Sequence, residues 1–299
     1  MRYRILHRTT YAYSEPVTIS HHAARLRPRA LRLQECEGFT LSFRPSPAVQ
    51  KTRNDFFGNE IQFFSIQEVH SGLDVTARSL VTVFPRPEVR LSDSPPWETV
   101  AALFQEPVLP ENVAPYQYVF DSHLLQAAPE LAEYARPSFP PGRPMMEGAR
   151  DFCSRIHRDF KFDHKATTVA TPLGEVMRKR HGVCQDFAHV AIACLRSLGL
   201  PARYVSGYIR TVAPAGKPRL VGADASHAWL SVYCPVLGWI DLDPTNDSIP
   251  LEDHIIVAFG RDYADVSPVA GVLTGGGDHK VAVAVDVEVV EGDPPRSAP

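Results

Sequence analysis

The chain has no run of apolar residues approaching the ~20 that a bilayer-spanning helix requires. It also has no long basic block: 31 lysines and arginines stand against 34 acids, a formal charge of −3. Neither nucleic acid nor a membrane surface is therefore expected as a partner. Cysteine is scarce and irregularly placed. Cys36, Cys153, Cys184, Cys194 and Cys234 form no Cys-x-x-Cys pair, which argues against both a disulfide scaffold and a zinc site. If Cys184 and Cys194 share one helix, a rise of ~1.5 Å per residue holds them ~15 Å apart, too far for a bridge that needs Cα atoms within ~7 Å. Reduced thiols are the expected state. The glycine-rich stretch Thr274 to Asp278 reads as a flexible loop and lacks the lysine and hydroxyl pair of a phosphate-binding loop. His21 and His22 are adjacent, so on a strand they face opposite ways, and no third ligand is evident. No metal and no cofactor is expected. The first residues, Met1 to Arg8, alternate charged with apolar side chains where a secretory leader would need a continuous apolar stretch. A cytoplasmic location is the expectation.

What is present divides in two. At 299 residues the chain is long enough for two domains and a sizeable core. Tyr3, Ile5, His7, Thr9, Tyr11 and Tyr13 hold alternate positions, the pattern of a half-buried strand. Phe39 to Phe43, Ile61 to Val69 and Leu73 to Phe84 continue the series, with turn chemistry at Asn54 to Asn59 and at His70 to Gly72. Short strands at this spacing predict a β-sandwich-like domain over residues 1–90. A proline-punctuated connection follows over 91–142, with a short helix within Leu124 to Tyr134. A second domain is expected over 143–260. There Ala149, Phe152, Cys153, Ile156 and Phe160 keep helical spacing, and Thr171-Pro172 opens a short helix through Arg180. Arg203 to Ile209, Ser226 to Tyr233 and Trp239 to Asp243 read as strands, with a polar loop from Val212 to Ala225 and a tight turn at Pro235 to Gly238. One long helix on such an antiparallel sheet is an α+β arrangement. Residues 261–299 form a C-terminal extension: Val281, Val283, Val285, Val287 and Val289 alternate as a final strand, and Glu291 to Pro299 are expected to be disordered.

The chemistry gathers around Gly182-Val183-Cys184-Gln185-Asp186-Phe187-Ala188-His189. Val190, Ala191, Cys194, Leu195 and Leu198 follow at three- and four-residue spacing, so a core helix runs to a stop at Gly199 and Pro201. Cys184 then lies in the first turn, where unpaired N–H groups and the positive end of the macrodipole favour a thiolate. Most buried thiols simply pack, and what tips the balance lies downstream. His227 heads one strand and Asp243 ends the next. A hairpin would set the carboxylate beside the imidazole while the helix brings the thiol to the other ring nitrogen, the arrangement that activates a nucleophile. Asp241 faces the same side as Asp243, so alternation alone does not choose between them. Gln185 offers an amide and a backbone N–H beside the thiol, suited to an oxyanion. Asp186 reads as a first-turn charge or acceptor more readily than as an acid-base group, and His189 as a packing or supporting side chain. Trp229 and Trp239 share faces with His227 and Asp241, and either wall the cleft or fill the core.

The stretch around Cys184, together with Leu198 to Tyr208, Ser226-His227-Ala228-Trp229 and Gly238 to Asn246, closely resembles the bacterial transglutaminase-like family. Residues 1 to about 90, including Asp55-Phe56-Phe57-Gly58-Asn59, resemble the β-rich N-terminal region that accompanies this core in bacteria, and Gly260 to Val266 also fits. The resemblance implies a papain-like α+β core with a triad of Cys184, His227 and Asp243, the last matching the family's Asp-Pro-Thr motif. It implies attack of Cys184 on a carboxamide or peptide carbonyl of a protein or peptide substrate, glutamine-containing or cleaved at a peptide bond. The acyl group then passes through a thioester to an amine, as in transamidation, or to water, as in a peptidase or amidase. A non-catalytic peptide-binding protein using the same cleft is the alternative of another class. Animal relatives depend on calcium, and this chain has no EF-hand pattern.

Overall fold

The alternation at the N-terminus runs well past Tyr13. β1 (Arg2–Ala24) buries Tyr3, Ile5, His7 and Thr9 on one face and leaves Arg4 and Arg8 in solvent. A computed structural model gives the fold and describes residues 1–105, 110–211 and 225–290. β2 (Gln34–Arg44), β3 (Val49–Asn54), β4 (Glu60–Ile66) and β5 (His70–Val83) build an antiparallel sheet with β1, in the order β2-β5-β1-β4-β3. β3 carries no apolar alternation and is exposed throughout, so its sequence gave no strand signal. β1 pairs with β5 from Arg2 to Ala12, breaks register, and pairs with β4 from Ser20 to Ala24. The break contains Pro16, which has no N–H for a ladder.

The sheet curls over on itself. Phe43 on β2 and Phe64 on β4 are three strands apart, ~14 Å in a flat sheet, yet their ring centroids are 4.2 Å apart. Val17, Leu26, Phe64, Ile66, Leu73 and Val75 fill the inside of the curl. The sandwich-like region is thus one sheet folded over.

Short helices α1 (Trp97–Ala102), α2 (Val113–Tyr116) and α3 (Pro129–Ala135) occupy the connection. α3 begins at Pro129 and not at Leu124, because proline suits the first helical turn and forces Ala128 before it to be extended. α4 (Met145–Asp159) buries Ala149, Phe152, Cys153 and Ile156, the predicted face. β6 (Lys161–Phe162), α5 (Leu173–Lys179) and β7 (His181–Gly182) lead to α6 (Cys184–Ser197), which is buried at every position from Asp186 to Arg196. Gly199, at φ 78°, ends it.

α6 packs on an antiparallel sheet of β8 (Ala202–Ile209), β9 (Ala225–Cys234), β10 (Gly238–Leu242) and β11 (His254–Gly260), in the order β10-β9-β8-β11. β11 was not predicted: Ile255 to Phe259 is an unbroken apolar run without a period. The outer edge of β11 is closed by two side-chain amides in place of a strand. Gln34 donates to the Ile256 carbonyl and accepts its N–H, both at 2.8 Å. Asn59 does the same for Phe259, at 2.7 and 2.9 Å. Each amide has a donor and an acceptor, which is what an edge residue needs.

After α7 (Tyr263–Val266), β12 (Val269–Gly275) and β13 (His279–Val289) pair antiparallel with β1, along Val17–Ala24 and Tyr3–Tyr13 respectively. The C-terminal stretch therefore completes the N-terminal sheet. Thr274 to Asp278, expected as a flexible loop, is a hydrogen-bonded crossing opposite the β1 break. Ser14 N–H donates to the Asp278 carbonyl at 2.9 Å and Gly276 N–H to the Pro16 carbonyl at 3.2 Å. Positive φ at Gly275, Gly276 and Gly277 makes this path open to glycine. Residues 212–224 and 291–299, expected as a polar loop and a disordered end, lie outside the described residues. Tyr3, Ile5, Val81, Val83, Val285 and Val287 join α4 and α6 in one apolar cluster, so the large sheet packs directly on the helical core.

Burial holds three histidines, His7, His22 and His189, down to about 4 from the ordinary 6.5. As pH falls, the unfolded chain protonates them first. Their contribution to stability is full above pH 6.5 and is lost toward pH 4, at ~1.4 kcal/mol per pH unit for each histidine. Urea titrations across that range are expected to show the slope, and His189→Gln to remove one histidine's share; a flat profile would contradict their burial in neutral form.

Candidate active site

Cys184 is the first residue of α6, half-buried, with Val183 extended before it. The turn is fixed by Asp186, whose Oδ2 accepts the Val183 N–H at 2.8 Å and the Thr167 hydroxyl at 2.6 Å. Burial pushes the Asp186 carboxyl up, and those two hydrogen bonds oppose the shift. Gly182 is required here, since a Cβ would lie 2.6 Å from Asp186 Oδ2. Asp186 therefore shapes the helix start, the acceptor role read from the sequence.

His227 is buried near the start of β9, where it sits opposite Gly207 of β8. Its Nε2 is 2.7 Å from Asp243 Oδ2, and the Cys184 thiol hydrogen-bonds the same ring. Asp243 follows the last residue of β10 and closes a turn with Ser248 through two backbone hydrogen bonds. The carboxylate is fully buried. Thr245 and Asn246 N–H groups donate to its Oδ1 at 2.9 and 3.2 Å, and the Asn246 side chain to its Oδ2 at 2.7 Å. Burial alone would lower the His227 imidazolium, but the Asp243 and Cys184 hydrogen bonds reverse this and push it up to about 10. Burial would likewise raise Asp243, and its imidazole partners hold it far below the usual carboxylate range.

Asp241, the rival carboxylate, instead pairs with the Arg86 guanidinium at 2.8 Å. His189 packs against Tyr204 and accepts the Tyr263 N–H at 3.2 Å, a structural contact. Trp229 is fully buried with Val205, Ile256 and Phe259, and Trp239 sits among Tyr118, Tyr233 and Arg203. Neither lines the cleft, because the side of the sheet beneath them is covered by the connection and the N-terminal region.

The cleft itself has a volume of ≈ 400 Å³. Cys184, Gln185 and His227 line one side; His7, Thr9 and Tyr11 of β1 with Val281 and Val283 of β13 line the other. The β1 alternation seen in the sequence is thus a cleft wall. Two site residues were missed. Asn246 ends the Gly238 to Asn246 stretch, where nothing local marks its role, and His254, at the head of an aperiodic strand, has no signal. His254 Nε2 lies 3.1 Å from Asp243 Oδ2 and its Nδ1 2.7 Å from Asp253 Oδ1. His227, Asp243 and His254 bring three ligand-type atoms within 4.8 Å of one another. Their 2.7 and 3.1 Å separations fit hydrogen bonds from two imidazoles to one carboxylate.

A helix-borne thiol, a strand-borne imidazole and a turn-borne carboxylate on an α+β core define a papain-like arrangement. The sequence agrees: residues 133–244 match the model of the transglutaminase-like superfamily, and residues 3–82 that of the bacterial transglutaminase-like N-terminal region. The Mycobacterium tuberculosis protein Rv2569c is 42% identical over 300 residues, covering 98% of this chain and 94% of its own. The chain belongs to the transglutaminase-like superfamily. A candidate cysteine protease from Cytophaga hutchinsonii shares the fold, with a TM-score of 0.76 at 20% identity over 99% of this chain and 93% of that one. A protein-glutamine gamma-glutamyltransferase from Pseudomonas aeruginosa is 39% identical over 72 residues, 24% of this chain and 11% of that protein.

The two aspartates are expected to separate cleanly. Asp241→Asn leaves a part-buried guanidinium unpaired and should cost roughly 1–3 kcal/mol of stability while sparing the thiol. Asp243→Asn should slow iodoacetamide labelling of Cys184 between about pH 6 and 7 by on the order of tenfold or more, compared at equal folded fraction. A larger loss of labelling in Asp241→Asn would undo the assignment.

Proposed function

We propose that the protein is a cysteine-dependent acyltransferase that takes the acyl group of a carboxamide or peptide carbonyl onto Cys184 as a thioester. One observation carries the reading: a single imidazole, His227, stands between the Cys184 thiol and the buried Asp243 carboxylate at the wall of a cleft. In the first step the thiolate attacks the carbonyl carbon, and the electron pair moves to the oxygen. Gln185, lining the cleft beside the thiol, is the proposed donor to that oxygen. The C–N bond then breaks as the His227 imidazolium gives its proton to the leaving nitrogen, releasing ammonia or an amine. In the second step neutral His227 takes a proton from the incoming nucleophile as it attacks the thioester, and the thiolate departs. The ion pair is restored. Asp243 keeps the ring oriented and stabilises its cation throughout.

An amine acceptor is the leading choice. The likeness to the Pseudomonas aeruginosa gamma-glutamyltransferase supports a glutamine-type donor, and apolar walls formed by Val281, Val283, Val269 and Phe162 disfavour bulk water around the thioester. Water is the second acceptor, because Val281 and Val283 are themselves about half exposed, at 50% and 53%. The cytoplasm is the proposed location, in keeping with five free cysteines.

The test is mass spectrometry of glutamine-containing peptides incubated with the protein, with and without a small primary amine. Loss of ammonia with gain of the amine is expected; a glutamate product alone, or peptide cleavage, would assign a hydrolase. Cys184→Ala should abolish every product while changing stability by less than ~1 kcal/mol. Product formation by that variant would sink the thioester mechanism.

A further inference from the structure

We infer that His254 is a positioning residue of this site, carrying a positive charge in the folded protein and clamped between the carboxylates of Asp243 and Asp253. The inference rests on the triad reading of Cys184, His227 and Asp243. Its own basis is the hydrogen-bond inventory. His254 is 2% exposed, and each ring nitrogen faces a carboxylate oxygen, at 3.1 Å for Nε2 and 2.7 Å for Nδ1. An ionised carboxylate only accepts, so both nitrogens must carry a proton. Asp243 receives four other donors and stays ionised. Asp253 is half exposed, and its carboxyl is held below the usual range, chiefly by the His254 hydrogen bond itself. The ring between them is an imidazolium.

The surroundings bear on its charge from every side. β9 presents His227, with ring centroids 6.0 Å apart, and Trp229 at 5.1 Å. Behind β8, Arg210 donates its backbone N–H to the Asp253 carbonyl at 3.0 Å. Tyr3 of β1 and Glu252 share the field of Asp253 and Arg210, and Glu252 pairs with the N-terminal ammonium. On the α4 side, Cys153 lies within the field of Asp243, Arg150 and Asp247. Among the described residues, no other neighbour sets a second buried cation against Asp243 besides His227. The two rings therefore divide one carboxylate. Its oxygen Oδ2 serves both, so His254 weakens the hold of Asp243 on the His227 proton. A triad proton that is held too tightly is a poor one to hand to a leaving group.

The prediction concerns the pH profile of Cys184 alkylation by iodoacetamide in the intact protein, a readout that needs no substrate. Removing a buried positive charge raises the pH at which each neighbouring group gives up its proton. His254→Gln keeps a donor toward Asp243 but loses the charge. It should move both inflections of the profile to higher pH, by on the order of one unit for charges this close. Loss of packing alone would lower labelling selectivity without shifting both inflections the same way. In the wild-type protein, proton–nitrogen correlation spectra near neutral pH should show both His254 ring nitrogens protonated, the residue being assigned through its contact with the Trp229 indole. One bare ring nitrogen on His254 would overturn the inference even if the variant fails to fold, and so would an unshifted profile in a folded variant. A wild-type profile insensitive to His227→Gln would instead remove the triad reading beneath it.

Discussion

A carboxylate with no contact to solvent must be surrounded by donors or it will take up a proton, and Asp243 is such a carboxylate. Its burial costs several kcal/mol as an isolated charge, and each charge-assisted hydrogen bond returns roughly 1.5–3 kcal/mol. Five donors reach it: two backbone N–H groups and an amide from its own turn, and one imidazole each from β9 and β11. Satisfying this single charge therefore fixes the ends of three strands relative to one another. His227 is held by its bond to Asp243, and the direction of its other ring nitrogen follows from that bond. The helix start has only to bring Cys184 to a ring already fixed.

The same constraint extends into the N-terminal sheet. β11 begins with His254, and its outer edge is closed by the amides of Gln34 and Asn59. Asn59 is held in turn by Asp55, which accepts its backbone N–H at 2.8 Å and its side-chain amide at 3.0 Å. Gly58, at φ 75°, lets the chain turn between them. The Asp55-Phe56-Phe57-Gly58-Asn59 motif thus acts as a clip that places an amide against a strand of the other region. A buried edge left without that amide would expose one N–H and one carbonyl with no water to pair them.

How far the sequence could be read depended on the range of the interaction concerned. Cys184 at a helix start was legible because periodicity and stop signals are local. His227 was legible from its motif, and Asp243 was separated from Asp241 by its place at the strand end before Pro244 and by the resemblance, since two residues on one strand face the same way. The deciding fact, that Arg86 already occupies Asp241, spans over 150 positions and leaves no local trace. The pairing of β12 and β13 with β1 is longer still. Trp229 and Trp239 could be placed on faces but not on sides of the molecule, because which side of a sheet is covered depends on chain segments elsewhere. His254 was invisible for another reason. A strand buried on both faces carries no alternation, and a polar residue at its head reads as the end of a loop.

The cleft explains why the two regions belong to one chain. α6 is buried from Asp186 to Arg196, so at its start only Cys184 and Gln185 reach the cleft, and a thiol at a helix tip has no pocket of its own. β8 and β9 supply a floor. The opposite wall comes from the large sheet, where His7, Thr9 and Tyr11 alternate along β1 and Val281 and Val283 stand beside them on β13. That wall is fixed to the floor by the Tyr3, Ile5, Val285 and Val287 contacts just beyond the cleft and by the His7 Nδ1 bond to the Tyr208 hydroxyl at 3.0 Å. Under the proposed acyl transfer, bond making falls to residues of the core, and the groups flanking the carbonyl meet residues of the sheet. Because the His7 contact is buried and its ring neutral, the wall does not bring a competing charge near the His227 and Cys184 pair. Under that proposed chemistry, side chains along β1 and β13 can then vary without disturbing the proton held between His227 and Asp243.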